Sequence, residues 1–256
     1  EKAGSHEGGY LPFEFDITSR VRPGENQVAV RVLDPGAKPR NEIEGIRYEE
    51  IPHGKQNWYV QTSGLWQDVT LEIRPRLHFG AVHITAGADG RFEIQSLLAN
   101  ATTTAAAKDR VRVTAEILDP GGNIVWQGMR EMEPGKAQCE FAGQVPGPRL
   151  WNLNDPALYT LRVSLSSGDV LSHPFGFRNF EARNGKFYLN ATAIYLRGAL
   201  DQDFYPETIY TPPSLDYLRD EMRKAKALGL NLLRCHIKVP DPRYLQAADE
   251  EGVLVW

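Results

Sequence analysis

Two short clusters hold the side chains of this sequence that could do chemistry. Asp201, Gln202 and Asp203 follow one another, and Arg234 stands two residues before His236. Two carboxylates at that spacing on a loop could approach each other for acid–base work. Nothing in the sequence fixes them on opposite sides of a substrate, so solvation or hydroxyl binding is the better reading and no catalytic residue is assigned. Arg234 and His236, two apart on a strand, would share one face and could bind jointly. The competing reading is a buried structural pair hydrogen-bonded to neighbouring carboxylates.

The elements that must position these residues lie in the last part of the chain. Ile194–Leu196 is a short apolar run followed by Gly198 and a polar loop, as for a buried strand. Pro212 and Pro213 interrupt, and Ser214 is a good N-cap for a helix in which Leu215, Leu218, Met222, Ala225 and Leu228 recur. Gly229 closes it. Leu230–Ile237 reads as a second strand, 242–251 as a second helix ended by Gly252, and Val253–Trp256 as a third strand. Strand, helix, strand, helix, strand predicts a parallel sheet with crossover helices.

The chain before this is β-rich. Phe13, Phe15 and Ile17 alternate with polar residues, as do Val28, Val30 and Val32, and Val69, Leu71 and Ile73. Arg22–Asn26 is a turn between the first two runs. Val82–Thr85, Phe92–Ile94, Val111–Val113 and Leu161–Leu165 read as further strands, punctuated by Ala88–Gly90, Asp119–Gly122 and Ser166–Asp169. That density of short strands fits an immunoglobulin-like sandwich. The Ala/Thr stretch at 99–107 reads as a polar strand and loop.

Composition narrows the field further. The 256 residues suffice for two or three domains. A net charge of −4 and a pI near 5.9 supply no basic face for nucleic acid. No run is long and apolar enough for a membrane span. No signal peptide is visible, and the first residues already read as the inside of a domain. Cys139 and Cys235 lie in different segments, so a disulfide is not expected, and Cys235 reads as a small core residue. The six histidines lack metal-ligand spacing, and neither metal nor cofactor is expected. Trp58, Tyr59 and Trp66 could form a carbohydrate platform, but core packing is the preferred reading. For Trp256 a sugar-stacking role and a core role stay open.

The motifs, taken in order, resemble glycoside hydrolase family 2, the group of β-galactosidases, β-glucuronidases and β-mannosidases. Tyr10–Thr18 with Gly24-Glu25-Asn26, and Ser63–Glu72, are similar to the middle and end of that family's jelly-roll sugar-binding domain. Trp151-Asn152, Pro156–Leu161 and Gly176-Phe177-Arg178 resemble the last part of its immunoglobulin-like domain. Phe187–Asn190, Leu196-Arg197-Gly198, Asn231–Arg234 and Asp249–Gly252 resemble the opening of its barrel. The resemblance implies a mainly β chain with an α/β C-terminal part. A partial jelly-roll β-sandwich (1–75) would precede an immunoglobulin-like β-sandwich (76–180) and the first three strands of a (β/α)8 barrel (181–256).

It also implies a retaining β-glycosidase, without cofactor, acting on carbohydrate. Asp201, Gln202, Asp203, Arg234 and His236 would then form a substrate-binding rim at the C-terminal ends of barrel strands. The sequence departs from the family at Leu200, Gln202 and Cys235–Lys238, which leaves the sugar and linkage open. The family's acid/base follows the fourth barrel strand and its nucleophile the seventh, so the resemblance implies that neither lies in this chain, which alone would be inactive. An open strand edge would favour self-association. Two other readings remain: a non-catalytic carbohydrate-binding or scaffold module, and a truncated piece without independent function.

Overall fold

The computed structural model describes residues 1–33, 63–101 and 110–256. Trp58, Tyr59 and most of the Ala/Thr stretch lie outside the described residues. The molecule is mainly β, with two helices near its C-terminus.

Seven strands build a sandwich: β1 (His78–Ala86), β2 (Arg91–Ala99), β3 (Val111–Leu118), β4 (Ile124–Met132), β5 (Gln138–Gln144), β6 (Tyr159–Leu165) and β7 (Val170–Phe175). One sheet runs β1-β2-β5 and the other β4-β3-β6-β7, every pairing antiparallel. Alternation decides which side chains enter the core. Phe92, Ile94 and Leu98 on β2 face Val113, Ala115 and Ile117 on β3 and Leu161, Val163 and Leu165 on β6 in one cluster of buried residues. Trp126 packs edge-on against Phe92 and Phe141, ring centroids 4.8 and 6.0 Å away. Three of these strands, β4, β5 and β7, are not evident in the sequence. Pro174, the charged residues of β4 and the glycines of β4 and β5 dilute the pattern that exposes the others.

The segment before Leu77 differs from expectation. The described residues there carry no strand, although the alternation is present. Val28 is 76 % exposed and Ile73 92 %. Alternation chooses a face, but a strand exists only where a neighbour accepts and donates its ladder bonds, and no described residue pairs with these runs. The turn at Arg22–Asn26 is formed, its ends tied by Asn26 through Arg22 N–H (3.0 Å) and the Arg22 carbonyl (2.8 Å).

After the sandwich, β8 (Phe180–Arg183), β9 (Lys186–Leu189) and β10 (Thr192–Ile194) form an antiparallel meander. Then come β11 (Gly198–Asp201), α1 (Leu215–Ala227), β12 (Leu232–Cys235), α2 (Pro242–Glu251) and β13 (Leu254–Val255), whose strands make a parallel sheet in sequence order. The first parallel strand is therefore Gly198–Asp201. Ile194 belongs to the meander, and Leu196 lies between the two. Gly198 permits this shift, because a Cβ there would come within 2.9 Å of the Leu232 side chain. Both helices start where expected. Ser214 Oγ accepts from Tyr217 N–H at 3.0 Å, and Asp241 Oδ1 from Arg243 N–H at 2.9 Å. Gly252, φ +72°, ends α2 in the left-handed conformation. Leu218, Met222 and Ala225 of α1 and Tyr244, Ala247 and Ala248 of α2 are buried in one cluster with Leu233 and Val253.

Candidate functional site

The site is built from the shared C-terminal ends of β11 and β12. Their register pairs Gly198 with Leu232 and Asp201 with Cys235, so the two strands stop level and the loops that follow lie side by side. His236 N–H donates to the Asp201 carbonyl at 2.9 Å, and Cys235 N–H to the Trp256 carbonyl at 2.9 Å. The five residues selected from the sequence are thereby brought to one end of one sheet. Their individual placements differ from the picture of an open loop.

Asp201 is the last residue of β11. Its Oδ1 accepts from Asp203 N–H at 2.7 Å and its Oδ2 from the Tyr244 hydroxyl of α2, also at 2.7 Å. The first bond closes a tight turn that holds Asp203 at φ +49°, with Gln202 at its tip. Asp203 is buried. Its Oδ1 accepts from the Tyr205 hydroxyl at 2.5 Å, and its Oδ2 lies 3.0 Å from Lys238 Nζ. Lys238 also donates to the Asp203 carbonyl at 2.6 Å, and the two side chains of this ion pair are 1 % and 0 % exposed. Burial first, then the adjoining carboxylates, raise the Tyr205 and Tyr244 hydroxyls far above the ordinary range, so both remain neutral donors.

Arg234 and His236 touch. Arg234 Nη1 lies 2.8 Å from His236 Nδ1. A guanidinium can only donate, so the imidazole accepts at Nδ1 and carries its proton on Nε2. Arg234 also stands over the ring of Trp256, 5.3 Å from its centroid. That indole is 75 % exposed in this chain.

Four participants were missed by sequence reasoning: Lys238, Tyr205, Tyr244 and Glu221. Glu221 of α1 has a buried Oε2 without a hydrogen-bond partner among the described residues, and burial, then Asp201 and Asp203, push its carboxyl up to about 7. No local signal marks Lys238, Tyr244 or Glu221, because each becomes part of the site through a contact distant in sequence, whereas Tyr205 stands only two residues from the Asp203 that it bonds. Trp66 behaves differently from the core residue expected of it. It is half-buried, donates to the Gly9 carbonyl at 2.7 Å and faces Lys238 and Tyr210. Among the described residues no group of three or more His, Cys, Asp or Glu side chains converges to hold a metal ion.

The arrangement therefore has two layers. Asp201 and Asp203, occupied by tyrosine and lysine donors, brace the loops from within. Arg234 and His236, both half-buried, and the exposed Trp256 offer guanidinium, imidazole and indole groups, a set suited to hydroxyls and a flat apolar ring face, while Gln202 is half-buried with its amide oxygen shielded.

Comparison with known proteins finds similarity along the chain. Residues 77–178 match the family described as Glycosyl hydrolases family 2. The chain is 31 % identical over 261 aligned residues to a putative beta-glucuronidase of Formosa agariphila, covering all of this chain and 30 % of that protein. It is 27 % identical to a beta-galactosidase of Halalkalibacterium halodurans, covering all of this chain and 24 % of the relative. Among solved structures, the apo beta-glucuronidase 3 of Bacteroides uniformis superposes with a TM-score of 0.63 at 26 % identity, over 76 % of this chain and 24 % of that one. The chain thus spans under a third of the length of these relatives.

Proposed function

We propose, for a chain that is a glycoside hydrolase family 2 sequence, that it supplies the substrate-binding rim and supporting sandwich of a retaining β-glycosidase. In this reading residues 1–75 are the last part of a sugar-binding jelly roll, 76–180 an immunoglobulin-like domain and 181–256 the first three strands of a (β/α)8 barrel. The parallel β11-α1-β12-α2-β13 unit supports the last assignment, since barrel enzymes carry their sites at the C-terminal ends of such strands.

One observation carries the division of labour: both aspartates of the rim are held by internal donors. Retaining hydrolysis needs two carboxyl groups about 5–5.5 Å apart, one protonating the leaving oxygen and one attacking the anomeric carbon. Asp203 is shielded, ion-paired to Lys238 and bonded to Tyr205, so its carboxylate is not presented to an anomeric carbon. Asp201 is spent on Tyr244 and the Asp203 amide. The pair acts as scaffold. Gln202, Arg234 and His236 make the sugar contacts, with Trp256 beside them. These 256 residues alone bind a β-glycoside weakly and do not cleave it.

The test is a panel of nitrophenyl β-D-glycosides incubated with the purified chain, followed by saturation-transfer NMR with the corresponding methyl glycosides. Expected are no turnover above background and a binding signal that Arg234→Ala and His236→Ala reduce. Turnover that Asp201→Asn abolishes would place catalysis within these residues and overturn the proposal. In the same preparation, the outer edges of β11 and β13, unpaired among the described residues, lead us to expect concentration-dependent association by light scattering. A monomer at every concentration would refute that.

A further inference from the structure

We propose that Lys238 is a positioning residue that makes the loop tips after β11 and β12 depend on Trp66, a residue from the segment ahead of the sandwich. The inference rests on the reading that those tips form the sugar-binding rim. Lys238 leaves the end of β12 and turns inward at Ile237, whose φ is +58°. Its ammonium meets the Asp203 carboxylate at 3.0 Å and the Asp203 carbonyl at 2.6 Å. On its other side stand two aromatic faces, Trp66 and Tyr210, each with its centroid 5.3 Å from Nζ.

A buried ammonium is tolerated only when its donors are met. Here the β11 loop supplies one carboxylate and one carbonyl, and the remaining N–H direction faces π-electron density. Trp66 is fixed in turn, its indole N–H bonded to the Gly9 carbonyl and its own carbonyl accepting from the Thr211 hydroxyl. A continuous path therefore leads from the N-terminal segment through Trp66, Lys238 and Asp203 to Asp201 and the His236 amide. Removing the indole uncovers the ammonium, and the loop that carries it loosens.

Cys235 reports on that loop. Its Sγ lies 3.7 Å from the Lys238 carbonyl and 3.9 Å from Asp203 Oδ2, whereas Cys139 is buried in the sandwich. The experiment measures N-ethylmaleimide modification of each cysteine in the full chain, by peptide mass, at one pH. Lys238→Met is expected to raise the Cys235 rate about tenfold, and Trp66→Ala about fivefold, through easier local opening. Lys238→Arg, which keeps the charge and the stacking, should return the rate to within about twofold of the parent. Cys139 should not respond in any variant.

A Cys235 rate unchanged by Trp66→Ala would overturn the proposal. So would a parallel rise at Cys139 in every variant, since that marks general unfolding. Trp66→Ala and Lys238→Arg keep the test decisive if Lys238→Met fails to fold. No sugar is needed for the readout, so a chain that fails to bind glycosides counts against the function proposed above and leaves this inference to the cysteine rates.

Discussion

The indole N–H of Trp151 donates to the carbonyl of Asp249 at 2.7 Å, a bond that joins the end of the sandwich to helix α2. Trp151 is 2 % exposed and packs with Leu189 of β9 and Leu254 of β13, while Arg178 covers its other face at 4.9 Å. Lys226 adds a second link, donating to the carbonyls of Leu153 and Glu251 at 2.6 Å each. The seam between sandwich and parallel sheet is therefore closed by one large side chain and a few bonds to backbone.

Trp151→Ala should cost about 3–5 kcal/mol in the full chain, the range for emptying a buried aromatic site. Urea unfolding should then resolve helix loss from sandwich loss. The span 76–180 alone should still unfold cooperatively, because its core cluster closes on itself. In that shorter protein the same substitution should cost less than about 1 kcal/mol, since its partners across the seam are gone. Equal costs in both would show that Trp151 serves the sandwich only.

Asp203→Asn should destabilise by about 3–5 kcal/mol, because it strands a shielded ammonium without its counter-charge. The double variant Asp203→Asn/Lys238→Met should be less damaging than the sum of the two single changes. Additive costs in a double-mutant cycle would mean that the pair is not coupled.

Glu221 sets a pH dependence. Its folded carboxyl is raised from 4.5 to about 7 by burial, then by Asp201 and Asp203. The folded state thus holds this proton more tightly than the unfolded chain does. The stability it contributes is complete below pH 4.5 and is lost as pH rises through 7. Facing it are Asp201 and Asp203 from β11 and its loop, with Asp220 and Lys224 on its own helix. Glu221→Gln should remove this fall, so the Tm of the variant relative to the parent should climb between those two pH values and then level. A constant difference across the range would refute the assignment.

Ile237 is exposed and β-branched, yet its φ is +58°. Such a residue in the left-handed region stores on the order of 1–3 kcal/mol of strain. Ile237→Asn should therefore stabilise the chain by about 0.5–1 kcal/mol, since asparagine enters that region readily and little burial is lost. A lower midpoint in urea would show that the isoleucine side chain contributes more than its backbone costs.

Much of this architecture is written locally. Ser214, Gly229 and Gly252 mark helix limits because capping is settled within one turn of chain. The alternation in β2, β3 and β6 is legible because each of these strands buries one face and exposes the other. Strand identity was less secure wherever pairing decided it. Val28–Val32 alternates as clearly as any strand of the sandwich and has no ladder among the described residues. Leu196, apolar and promising, lies outside β11, whose bonding to the next strand begins at the Arg197 carbonyl, which accepts from Asn231 N–H at 2.9 Å.

The chemistry divides in the same way. Residue type together with the family resemblance selected Asp201, Gln202, Asp203, Arg234 and His236, and level strand ends bring them together. Which of them face a ligand and which brace the loops was decided in three dimensions. A carboxylate's role depends on what donates to it, and the donors to Asp201 and Asp203 include Tyr244 and Lys238, 43 and 35 residues away. No window of sequence contains such a pair. Only the packing of α2 and the β12 loop against the end of β11 brings a buried lysine to one aspartate and a tyrosine to the other.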